Sequence, residues 1–249
     1  MGTYPALLVG YGLALSLWLL LSQRSALWPP SEPVEFEHPW REIGYALLAC
    51  VGVLAMGQLW SAGLRLPTDG PAGPALDALN QGAIFSPLAV LLIARRQTLA
   101  TAWVPTTHVW TRLTVGLALA LVALLGYLAV RERAGDWAAA VVAIYHPRNG
   151  GLFVQVFLED ILIAILAVRF RAALGPWRTA GLVAVLFAAG HIPAFLASGV
   201  DPMSLSTLIL DAALGVGILL VLLRGRDILW FWMVHAALDV VQVALRSIS

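Results

Sequence analysis

The sequence predicts an all-α, polytopic membrane protein with about eight transmembrane helices. Three observations carry that expectation. Of 249 residues, 60% are hydrophobic and only 12% charged, whereas an average soluble domain carries about 25% charged residues. The apolar residues fall into runs close to the roughly 20 residues that a spanning helix needs. The polar connections between the runs are short. Hydrocarbon offers backbone N–H and C=O groups no water, so helices, which satisfy their own bonds, are the default.

The eight runs are Tyr4–Ser22, Ile43–Ala62, Ala75–Ala94, Leu113–Val130, Leu152–Val168, Thr179–Ala197, Met203–Leu223 and Ile228–Leu245. The first lacks the basic segment that opens a signal peptide and reads as a retained span. The third is interrupted by Asp77, Asn80, Gln81 and Pro87. Trp137–Tyr145 is too short to span and suits an interfacial or re-entrant helix. The stretch from Trp28-Pro29-Pro30 to Trp40, with Glu32, Glu35 and Glu37 and then Glu42, reads as a solvated loop. Pro67–Pro74 and Gly175-Pro176 are turns. There is no repeat and no soluble segment. Residues 1–249 are therefore expected to form a single transmembrane domain, with a motif-bearing core over 150–249.

Composition also excludes function classes. A net charge of +1 without a basic run gives no case for nucleic acid. The expected partners are membrane lipids and a peptide or protein substrate. The lone Cys50 can form no internal disulfide, and thiolates cannot build a metal site. All 15 basic residues are Arg. With the Ala, Leu and Gly richness, this points to a GC-rich bacterial genome and so to the bacterial cytoplasmic membrane.

Eight alternating spans divide the arginines unequally. With the N-terminus on side A, five fall on side A (Arg65, Arg131, Arg133, Arg148, Arg246) and ten on side B. The bias makes side B cytoplasmic.

Glu159, His191, His235 and Asp239 lie inside the apolar runs. A charged side chain at mid-bilayer costs roughly 2.5–3.5 kcal/mol on insertion scales, so an intramembrane ionisable residue is a functional hypothesis by default. At a rise of 1.5 Å per residue, Glu159, His191 and Asp239 fall roughly 9–12 Å below the side A surface, with His235 one turn deeper. His235 and Asp239 share a helix face at i, i+4. That pair alone fits a helix-packing hydrogen bond as well as a site, and His191 alone fits a packing role. Glu159 and Asp160 are about 100° apart, so only one can point straight into a cavity. Asp211 sits near mid-span without an evident partner, as suited to a helix contact as to function.

Together the four residues suit hydrolysis. Glu159 can deprotonate a water that His191 helps to hold. His235 can stabilise an oxyanion. No Ser or Cys nucleophile is required. The H-E-x-x-H and G-x-S-x-G signatures are absent, and Ile218 after Gly215-Val216-Gly217 excludes a G-x-G-D aspartyl signature.

These motifs resemble those of the CPBP family of intramembrane endopeptidases, which includes type II CAAX prenyl endopeptidases and bacteriocin-processing or immunity relatives. The family pattern is E-E-x-x-x-R, then F-x-x-x-H, then H-x-x-x-N/D. Glu159-Asp160 resembles the acidic pair, Phe187 to His191 the second motif, and His235 to Asp239 the third. The likeness covers the C-terminal third. It implies that Glu159 activates water with His191 as partner, that His235 and Asp239 bind the oxyanion, and that Asp160 is secondary. Asp160 replaces the second Glu, and Ala164 stands where the motif places Arg. Arg169 is about 15 Å further along the helix than Glu159. An ionised Asp239 can only accept hydrogen bonds, so it would be protonated, orient His235 or bind a metal. No cofactor is expected first. The alternative is zinc on Glu159, His191 and His235. Other readings are an inert scaffold or immunity protein of the same fold, and a proton-coupled transporter using Glu159, Asp211 and Asp239.

Overall fold

The computed structural model describes residues 3–23, 28, 34–193, 196 and 202–248, with side chains omitted for 202–205 and 245–248. Arg24, the Pro29-Pro30 turn, Glu32 and the end of the sixth run at Ala197 lie outside the described residues, as do the side chains of Leu245 and Arg246.

The described chain forms ten α-helices: α1 (Thr3–Ser22), α2 (Pro39–Ser61), α3 (Gly73–Ile84), α4 (Ser86–Ala94), α5 (Val109–Val130), α6 (Trp137–Ile144), α7 (Gly150–Leu174), α8 (Pro176–Gly190), α9 (Pro202–Gly225) and α10 (Ile228–Ile248). There is no strand among the described residues. The all-α membrane architecture expected from the sequence is the one observed. Five helices are long and apolar enough to cross a membrane, and the pair α3–α4 makes a sixth if it is one span. Lipid-type exteriors fit that reading: Leu48, Val90, Ile93 and Ile209 are each more than 60% exposed.

Local chemistry sets the boundaries. The third apolar run breaks where the sequence interrupts it, with Pro87 in the first turn of α4 and a 49° bend between α3 and α4. Proline lacks the N–H that would continue the helix. Gly175, at φ 74°, separates α7 from α8, and Pro176 opens α8. A side chain at that φ would be strained, so glycine suits the corner. Asp227 caps α10 by accepting from Leu229 N at 2.8 Å, the usual role of an N-terminal aspartate.

Packing centres on α5 and α10, which lie against each other, with α1 against α5 and α7 against α10. Leu124, Leu128, Val234 and Leu238 are fully buried at this junction. Helix backbones close tightly here: a Cβ on Gly116 would lie 2.6 Å from the backbone of Trp230. Such contacts replace the hydrophobic effect as the force between helices in lipid. Helices α8 and α9 pair with each other, and α8 also packs on α7. The result is a wedge of space between α1, α7, α8, α9 and α10.

Candidate active site in a membrane cavity

That wedge is a cavity of about 520 Å³, lined by Glu159, His191, Asp211, His235 and Asp239 among others. The sequence placed Glu159, His191 and Asp239 at a common depth with His235 one turn deeper, and the fold brings all four, with Asp211, to one cavity. Helix α7 supplies Glu159 and Asp160. Helix α10 supplies His235 and Asp239. A hydrogen bond from Trp232 Nε1 to Phe153 O, 2.8 Å, ties the two helices just beside the site.

The adjacent acids divide as their 100° separation requires. Glu159 faces the cavity, half-buried, where Gln155 Nε2 donates to its Oε1 at 2.8 Å. Asp160 is buried behind the cavity wall, and its Oδ1 meets His235 Nδ1 at 2.9 Å. The other oxygen, Oδ2, is buried without a hydrogen-bond partner. On the far side of the ring, His235 Nε2 lies 3.6 Å from Asp239 Oδ2, too long for a direct hydrogen bond. His235 is thus bracketed by two carboxylates. Asp160 is the one that orients it, because the close contact fixes the Nδ1–H and leaves Nε2 toward the cavity. From the sequence, orienting His235 was one of three roles open to Asp239, and Asp160 was secondary. Helix i, i+4 spacing brings Asp239 near the ring, yet the shorter bond comes from another helix. Phe231, 5.4 Å between ring centroids, and Tyr11, 6.4 Å, complete the wall around the imidazole.

One ligand-capable atom from each of Glu159, His235 and Asp239 lies within 4.8 Å of the other two. His191 is absent from this group, so the cluster differs from the zinc set expected from the sequence, Glu159, His191 and His235. The sixth run was expected to stay helical to Ala197; α8 stops at Gly190, His191 forms a turn, and residues 192, 193 and 196 are again helical. His191 remains on the cavity rim, exposed, with its Nδ1 3.0 Å from Phe187 O and its ring against the Phe187 ring.

Asp211 has a partner that the sequence did not reveal. Tyr4 OH, from the start of α1, donates to its Oδ1 at 2.9 Å. Tyr4, Tyr11 and Gln155 were not singled out from the sequence. Gln155 carried a signal, its i, i+4 spacing to Glu159; the two tyrosines lie in an apolar run with nothing to mark them.

Arg169 does not reach this site. It is fully buried elsewhere, donating to Ile165 O at 2.8 Å and to Gln97 Oε1, with Nε 3.7 Å from Glu42. Glu42 also accepts from Arg95 and Gln97. This network joins α2, α7 and the loop after α4.

The fold and the cavity define a class: an all-α, polytopic membrane protein with carboxylates and imidazoles gathered between its helices. No protein-family model matches the chain, and no curated protein or solved structure matches it. The likeness to the CPBP family therefore rests on the motif residues themselves.

Proposed function

We propose that the protein is an intramembrane endopeptidase of CPBP type. Its substrate class is a membrane-associated or lipidated protein or a leader peptide, and its nucleophile is a water activated by Glu159. The observation that carries this reading is the meeting of Glu159, His235 and Asp239 within 4.8 Å on a cavity wide enough for a peptide segment.

Each residue has a chemical task in that scheme. Glu159 accepts a proton from water, and the Gln155 amide holds its other lone pairs in place. An imidazolium at His235 donates from both ring nitrogens. Nδ1–H goes to Asp160, and Nε2–H is left for the oxyanion that forms as water attacks the carbonyl. Asp239 balances that charge from the cavity side. The proton on Glu159 then passes to the leaving amine. Ala164, where the motif places Arg, is fully buried and makes none of these contacts.

A second reading keeps the reaction and adds a divalent cation such as zinc. Two carboxylates and one imidazole within 4.8 Å suit three protein ligands and an open position. Glu159, His235 and Asp239 would hold the ion, which lowers the pKa of bound water and polarises a carbonyl.

The test is cleavage by purified protein in proteoliposomes, using prenylated peptides, leader peptides and small membrane proteins as substrates. Glu159→Gln should lower the rate by about 10²–10⁴-fold, the usual contribution of a general base. Full cleavage by that variant would overturn the assignment. Activity that survives chelator supports the metal-free scheme. Activity lost to chelator and restored by zinc supports the second.

A further inference from the structure

One polar group on the cavity wall has no task in the hydrolysis described above. Tyr11, on α1, lines the cavity beside Glu159, His235 and Asp239. The residue is only 5% exposed. Its hydroxyl has no hydrogen-bond partner among the described residues. The polar atoms sealed in protein without a partner include Trp18 Nε1 and Asp160 Oδ2 but not this hydroxyl, which opens on the cavity. Tyr11 lies seven residues beyond Tyr4, about 10 Å down α1. It therefore sits inside the described bundle, away from the start of α9 that Tyr4 touches at Thr207 O.

Packing explains the ring and not the hydroxyl. Tyr11 stacks on Phe231 with centroids 6.2 Å apart and stands 6.4 Å from the His235 imidazole. A phenylalanine would fill the same space. A buried tyrosine hydroxyl usually finds a partner, and a buried donor left unmade is unfavourable. The position is also rigid. A Cβ on the preceding residue, Gly10, would lie 3.0 Å from Ala123 O on α5 and 3.1 Å from a Leu238 methyl on α10. Helix α1 is thus held close against the helix that carries His235. The phenol lies in the field of four carboxylates, Asp239 most strongly, then Asp160, Asp211 and Glu159.

Hydrolysis in this cavity still lacks a donor. As water attacks the carbonyl carbon, Glu159 takes one water proton and the π pair of the C=O moves onto oxygen. Preorganised donors stabilise that oxyanion, and His235 Nε2–H is one. Asp239, where the motif also admits Asn, cannot add a second while ionised. We propose that Tyr11 is a catalytic residue whose hydroxyl donates the second hydrogen bond to the oxyanion, together with His235. The phenolic proton is shared and not transferred. When the intermediate collapses, the C–N bond breaks, the amine takes the proton held by Glu159, and Tyr11 keeps its own. The inference rests on the hydrolytic reading of the cavity. It gives a role in the reaction to α1, which lies outside the motif-bearing core.

The test is cleavage by the full chain in proteoliposomes, with kcat and KM measured separately for the parent, Tyr11→Phe and Glu159→Gln. Removing one oxyanion donor costs about 10²–10³ in kcat. Tyr11→Phe should lose that factor in kcat and keep its KM, the signature of an interaction made only in the transition state. A phosphinic analogue of the cleaved peptide, whose tetrahedral anion stands in for the oxyanion, should bind Tyr11→Phe more weakly by a similar factor. Unfolding temperature should match the parent, since the ring and its stack on Phe231 remain. Tyr4→Phe, which removes a phenol already bonded to Asp211, should keep its kcat close to that of the parent. Full kcat in Tyr11→Phe, with Glu159→Gln inactive, overturns this inference and leaves the hydrolytic reading standing. Full cleavage by Glu159→Gln overturns that reading and this inference with it. A raised KM at unchanged kcat, or a lowered kcat with unchanged affinity for the phosphinic analogue, would each overturn the role given to Tyr11.

Discussion

Two buried aspartates that touch α10, one at its start and one from α7 beside its middle, show how differently the same side chain can be used. Asp227, at the start of the helix, is saturated. Its Oδ1 accepts from Leu229 N, and its Oδ2 accepts from Trp28 Nε1 at 2.7 Å and from Arg112 Nη1. Trp28 in turn meets Trp18 edge to face, and Trp18 stacks on Trp230 with centroids 4.8 Å apart. Asp160, packed beside the middle of α10, has one hydrogen-bond partner among the described residues, His235, and one oxygen with none. Its partner opens on a cavity. A fully satisfied polar cluster fixes helices relative to one another. A partly satisfied one keeps bonding capacity available for something that arrives from outside. The difference assigns Asp227 to the frame and Asp160 to the site.

The same substitution at both aspartates tests that difference. Asp227→Asn leaves Arg112 buried beside an uncharged amide. Breaking a buried pair in this way is strongly destabilising, about 3–5 kcal/mol. The unfolding free energy in detergent should fall by that amount, while cleavage per folded molecule stays near that of the parent. Asp160→Asn should do the reverse. It removes the charge that orients His235, so cleavage should fall about 100-fold, about 2.7 kcal/mol in barrier, with a smaller change in unfolding temperature. If Asp160→Asn unfolds the protein and leaves specific activity intact, the contrast fails.

Two smaller substitutions sharpen it. Gln155→Ala leaves Glu159 in the cavity without its amide donor, and the expected loss is about tenfold in cleavage rate, near the 1.5–3 kcal/mol of a hydrogen bond to a charged group at its lower end. Tyr4→Phe removes the donor to Asp211. Unfolding free energy should drop by about 1 kcal/mol, and cleavage should change less than twofold if Asp211 holds α1 against α9. A large loss of cleavage would instead place Asp211 in the chemistry.

Much of this was legible in the chain. Apart from turn residues at Ala62, Phe85 and His191, the described residues of every apolar run are helical, and the bend in the third was marked by Pro87. The depths of Glu159, His235 and Asp239 followed from helical rise alone. The partners were not legible. Asp160 to His235 spans 75 residues of sequence, Tyr4 to Asp211 spans 207, and Arg112 to Asp227 spans 115. No local pattern encodes such pairs. The early end of α8 was hidden as well, since Ala188-Ala189-Gly190 reads as a close helix contact as readily as a helix terminus.

The sequence by itself determined that the chain enters lipid as helices, because hydrocarbon permits little else, and that ionisable residues recur at one level, because rise per residue is fixed. Only the tertiary structure decided which carboxylate holds the imidazole and which faces the cavity. That choice depends on how α7 and α10 rotate against each other, and rotation is set by side-chain packing across the whole interface.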